Sequence, residues 1–131
     1  MTKGTVPVRE LPLIFNQNYP VDYPANKRRI YIGRRPGFEH YGNPFSHLDR
    51  SAAHVKVNTR NEAIQECRDW LKGETWGHVN REQRTWILSH LEDLWNAVMV
   101  CHCSPLPCHG LIYVEFLRGD HGPIEQYRRI R

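Results

Sequence analysis

The sequence has no apolar run approaching the roughly 20 residues that a membrane-spanning helix needs, and its mean hydropathy is −0.65, which excludes a transmembrane helix. Its opening residues, Met1 to Pro7, contain no continuous apolar stretch, so no secretory signal and a cytoplasmic location are expected. No internal repeat or low-complexity tract interrupts the 131 residues, which suffice for one hydrophobic core but not two. Lysine is scarce: 4 Lys stand against 14 Arg. Cysteine is sparse and uneven, with three of four between Cys101 and Cys108. That crowding is unlike a spread-out disulfide framework and favours free thiols, a metal site or a reactive thiol.

The charge present is basic, with a formal net of +4 and a pI near 9.0. Because the excess is arginine, whose planar fork matches phosphate and carboxylate, it points to an anionic partner. Lys27-Arg28-Arg29 and Arg34-Arg35 interleave with Tyr31, Phe38, Tyr41 and Phe45, a combination that also suits a stacked single-stranded nucleic acid.

Residues 1–27 carry Pro7, Pro12, Pro20 and Pro24 around one apolar stretch, Leu11 to Phe15, and read as an extended arm with a short strand. Arg29 to Gly33 is a second strand, β-branched and aromatic and stopped by glycine. Arg34 to Asn58 is non-periodic and long enough to be functional, with Val55 to Val57 adding a short strand. Thr59-Arg60-Asn61-Glu62 fits a capping box, behind which Ala63, Ile64, Cys67, Trp70 and Leu71 recur at helical spacing up to Gly73. A second helix begins near Asn80, with Ile87, Leu91, Leu94 and Trp95 on one stripe. Ala97 to Cys103 is apolar on both alternating faces, as in a central strand covered from both sides. Leu111 to Leu117 fits a buried helix or a returning strand; Gly119 as a stop and the wrap of the apolar residues favour the helix. The order predicts a small three-layer α/β domain with a short, mainly parallel sheet flanked by helices. The core is expected over residues 28–118, with a basic tail over 119–131.

Two clusters carry candidate chemistry. The first is Cys101 to Gly110, with five soft ligands in nine residues. If Leu111 to Leu117 were a strand, Cys101, Cys103, Cys108 and His109 would converge as a tetrahedral zinc site. If it is a helix, Cys101 points into the core and the free amides at His109 and Gly110 open an anion site. The helix being preferred, no metal and no cofactor are expected. Cys108 at a helix start is also a candidate nucleophile. The second cluster is Gly33, Arg34 and Arg35 with Gly42 and Asn43, where the glycines allow close backbone approach and the arginines leave a strand end. Parallel strands would bring both clusters to one sheet edge. Of the eight histidines, His40, His47, His54, His78 and His121 read as surface residues and His90 as an edge residue, leaving His102 and His109 as candidates.

Tyr31 to Arg34, Gly42 to Phe45, Trp70-Leu71 and the Cys101–Gly110 pattern Cys-x-Cys-x-Pro-x-x-Cys-His-Gly resemble a small family of unknown function found widely in bacteriophages and bacteria. The resemblance covers roughly residues 28–118, with Leu111 standing where relatives often carry an acidic residue. It implies a Rossmann-like fold, remotely similar to proteins that bind or cleave nucleotide derivatives, such as phosphoribohydrolases of the cytokinin-activating type. A nucleotide-like phosphorylated ligand would then be bound by Gly33, Arg34, Arg35, Gly42, Asn43, Cys103, Cys108, His109 and Gly110. Cleavage of a glycosidic bond would need a carboxylate, for which Glu115 is the first candidate and Asp49 and Glu62 the next. The alternatives are an interaction protein binding a host protein or nucleic acid through its arginine-rich surface, and a small zinc module. A homodimer is a further expected assembly, and no membrane partner is expected.

Overall fold

A computed structural model describes residues 9–16, 27–33, 40–46, 55–101 and 108–128. Arg34, Arg35, Asp49, His102, Cys103 and the last three residues of the tail lie outside them.

Three strands form the central sheet, β1 (Leu13–Asn16), β2 (Arg28–Tyr31) and β5 (Ala97–Cys101), in the order β1-β5-β2 with both pairings parallel. β5 reads Ala-Val-Met-Val-Cys and every residue is buried, which is why its apolar pattern shows no alternation. The strand expected in the N-terminal arm does form, and it is an edge of this sheet, pairing Leu13 with Val98 and Asn16 with Cys101. The preceding residues are latched as well. Glu10 and Asn96 exchange two hydrogen bonds of 2.8 Å, and the Arg9 guanidinium lies 4.6 Å from the Trp95 ring centroid. A separate parallel pair, β3 (Phe45–Ser46) and β4 (Val55–Lys56), lies within the stretch read as non-periodic.

Helix α1 (Arg60–Leu71) starts as its sequence indicates. Thr59 is extended and its hydroxyl accepts the Glu62 amide at 3.1 Å, satisfying one of the orphan first-turn donors. Gly73, at φ 77°, ends the helix while Glu74 N–H reaches back to Asp69 O. The expected stripe of Ala63, Ile64, Cys67, Trp70 and Leu71 is buried throughout. Helix α2 (Arg81–His90) runs into a 3-10 turn over Leu91–Leu94. Helix α3 (Gly110–Arg118) settles the helix-or-strand question: Ile112, Tyr113, Phe116 and Leu117 face the core, and Gly119 stops it at φ 86°. One further turn, α4 (Glu125–Arg128), seats Tyr127 in the same core. The result is a mixed α/β domain whose short parallel sheet is packed with helices. Trp70, Tyr113, Phe45 and Phe116 are the largest side chains sealed inside it.

Candidate functional site

Because β1, β5 and β2 run parallel, their carboxyl ends share one edge. Asn16 pairs with Cys101 there, and Ile32 N–H extends the ladder to Val100 O at 3.0 Å, delivering Gly33 to the same edge. This is the edge at which open parallel sheets place ligands. The start of α3 sits on it. A Cβ on Gly110 would lie 2.9 Å from Ile32 Cδ1 and 3.3 Å from Ile14 Cδ1, so glycine is what lets the helix approach the sheet. Gly33 is only half-buried, and its neighbour is the ring of Tyr31 folded back over it.

Cys101 and Cys108 flank the connection from β5 to α3. They are 2% and 4% exposed, and their Sγ atoms are 3.8 Å apart. Cys108 Sγ also accepts the Gly110 amide at 3.4 Å. The next two amides are committed too, Leu111 N–H to Cys108 O and Ile112 N–H to His109 O, so the start of α3 is tightened by short-range bonds. Of the four candidate zinc ligands, Cys103 lies outside the described residues, and His109 turns its Nε2 to a backbone carbonyl. Among the described residues no three His, Cys, Asp or Glu side chains converge on a common point.

The sequence reading has His109 reach towards an anion. It is instead 7% exposed with Nε2 at 2.8 Å from Tyr41 O; a carbonyl only accepts, so Nε2 carries the proton. Tyr113 Oη donates to the same oxygen at 2.5 Å, and Tyr41 Oη donates to His90 O at 2.9 Å. Burial pushes the Tyr41 phenol up to about 12, reinforced by Asp93 and partly offset by Arg28. Burial holds Tyr113 well above its usual range too, aided by repulsion from Cys67, Tyr41 and Cys108. Both phenols therefore stay neutral donors. Two donors on one carbonyl, His109 at the N-cap of α3 and Tyr113 within it, pin Tyr41 against that helix.

Asn43 and Gly42 belong to the same framework. Asn43 Oδ1 accepts the Phe45 amide at 2.8 Å and its Nδ2 donates to Ala63 O at 3.1 Å, fixing the turn into β3 onto α1. Gly42 O accepts from Gln83 Nε2 at 2.8 Å. Among the described candidates, Gly33, Cys108 and Gly110 thus sit at the carboxyl edge, while Gly42, Asn43 and His109 hold elements together behind it.

Glu115 is far along α3 and is fully occupied. Arg68 grips it bidentately, Nε to Oε1 and Nη2 to Oε2, both at 2.8 Å, and His121 Nε2 approaches Oε1 at 2.8 Å. The Arg68 hydrogen bond dominates over the opposing effect of burial, and His121 adds to it, holding the carboxyl below its usual range. A carboxylate so held stays ionised and joins α1 to α3, with both oxygens engaged by Arg68 and His121. Glu62, the other described alternative, sits in the first turn of α1.

One buried charge has no counterpart among the sequence candidates. Arg84 on α2 donates to the carbonyls of Trp70, Leu71 and Tyr127, closing the end of α1 and the turn α4, and burial alone lowers its pKa. Its position three and four residues before Ile87 and Leu88, on the buried stripe, was the available signal. It lines an open groove of about 530 Å³ with Arg81, Thr85 and Arg128, which shares no lining residue with the carboxyl edge. Arg128 there is engaged by Leu88 O, Glu125 and Glu92.

Neither the curated proteins nor the solved structures yield a match to this chain. A family does match, over residues 18–119, a stretch that holds β2, both conspicuous clusters and α3 but begins after β1. On that match the chain belongs to the family described as a domain of unknown function, DUF4326.

Proposed function

We propose that the carboxyl edge of the three-stranded sheet binds a phosphorylated, nucleotide-like small molecule, in a domain of Rossmann-like character. The observation that carries this reading is the parallel pairing of β2 with β5, which sends the chain after Gly33 and the chain after Cys101 away from the same edge. Arg34 and Arg35 follow Gly33 directly in sequence and supply the anion-binding charge. Gly110 lets the start of α3 lie directly against Ile32 and Ile14 at that edge. The reading is one of binding, since Glu115, the first candidate for a cleavage step, is held by Arg68 and His121.

Thermal unfolding against a panel of mononucleotides, dinucleotides and nucleotide sugars tests it. A ligand at 100 times its Kd is expected to add about 2.7 kcal/mol, and the Arg34→Ala, Arg35→Ala double variant to lose that gain. A panel without any shift, or a shift that the double variant retains, would refute it.

A further inference from the structure

We propose that Cys101 and Cys108 are the two halves of a reversible disulfide, a modification site that bridges the central strand to the start of α3. The inference stands on the placement of the two sulfurs and does not depend on what the sheet edge binds. Cys101 is the last residue of β5 and Cys108 lies two residues before α3, so residues distant along the connection meet side by side. Their Sγ atoms are 3.8 Å apart, and a disulfide of about 2.05 Å requires an approach of only about 1.8 Å. The two sulfurs are not equivalent. Cys108 Sγ receives the Gly110 N–H, a donor aimed where negative charge on sulfur is stabilised.

A hydroperoxide is the oxidant this arrangement suits, being small enough to reach a buried pair. Cys108 sulfur, having given up its proton, attacks one peroxide oxygen; the O–O bond breaks and the first water leaves, giving a sulfenic acid. Cys101 sulfur then displaces the sulfenic oxygen, which leaves as the second water as the S–S bond forms. The two thiols give up two electrons and two protons, and one hydrogen peroxide becomes two waters. A small dithiol such as dithiothreitol returns the pair to the reduced state by exchange.

The test uses the full reduced chain, freed of reductant, treated with hydrogen peroxide, then unfolded and blocked with a maleimide. Two of the four cysteines should be blocked, the intact protein should be about 2 Da lighter, and dithiothreitol should restore all four. Fragmentation of the tryptic peptide Thr85 to Arg118 should yield no cleavage products between Cys101 and Cys108. Cys103→Ser should retain the loss of two thiols, and Cys108→Ser should abolish it. Four blocked thiols after peroxide, or irreversible sulfonic acid in place of a reducible bond, would overturn the proposal. So would a bond that survives Cys108→Ser, or a peptide that fragments freely anywhere between residues 101 and 108, since neither fits a Cys101–Cys108 bond. Should the Cys108 variant not fold, the fragmentation of the unaltered chain decides alone.

Discussion

Replacing His109 by alanine is expected to destabilise the protein by about 2–3 kcal/mol. The hydrogen bond from Nε2 to Tyr41 O contributes about 1 kcal/mol. Removing the imidazole from a site 7% exposed leaves a void of roughly 60 Å³, which at about 24 cal/mol per Å³ adds about 1.5 kcal/mol. The loss stops there because Tyr113 still donates to the Tyr41 carbonyl. Tyr113→Phe alone should likewise cost about 1 kcal/mol, with His109 as the surviving donor. The double variant leaves a buried carbonyl with neither donor, so its cost should exceed the sum of the singles by about 1–3 kcal/mol. Urea unfolding of all four proteins, followed by circular dichroism and tryptophan fluorescence, measures each difference. A cost below about 0.5 kcal/mol for His109→Ala would show that the imidazole is free of the Tyr41 carbonyl, and strict additivity would refute the shared-acceptor reasoning.

Other perturbations read different parts of the fold. Because Glu115 is held below its unfolded value, its stabilisation is present above about pH 4.3 and is lost as pH falls through the folded value; Glu115→Gln should flatten that acid limb in unfolding experiments run from pH 7 to pH 3. Gly110→Ala forces a methyl against Ile32 and Ile14 and should cost about 1–3 kcal/mol by overpacking, a cost that Ile32→Val, which removes the nearest methyl, relieves in part if the clash is the cause. Tyr41 favours its neutral form in the fold, so its contribution is complete below about pH 10 and is lost as pH rises through about 12; spectrophotometric titration should show Tyr41 and Tyr113 both still neutral at about pH 11, the number falling by one in Tyr41→Phe.

Local signals served well where the physics is local. Thr59 and Glu62 set the start of α1, Gly73 and Gly119 set two helix ends, and the two-faced apolar run of β5 announced a central strand. The place of β1 was a different matter. Four residues after Pro12 carry no pairing information of their own, and their register follows from β5, more than eighty positions away. The candidate site was legible as a set of unusual residues but not as a set of roles. A buried histidine or asparagine that satisfies a backbone group has the same sequence signature as one that meets a ligand. His109 and Asn43 turned out to hold backbone, and the difference lies in Tyr41 O and Ala63 O, acceptors that a sequence does not display. Glu115 is similar: its partners Arg68 and His121 come from a distant helix and from beyond the Gly119 turn.

The latch of Glu10 on Asn96 and the seating of β1 beside β5 bear on how this chain can be shortened. A boundary drawn at residue 18, where the family match begins, would cut away one neighbour of β5, whose five residues are all buried. The hydrogen-bonding edge of Ala-Val-Met-Val-Cys would then face water, a short, uncharged, β-favouring template for pairing with another copy. A family-length fragment is therefore expected to self-associate through that edge more readily than the longer chain, whose first strand covers it.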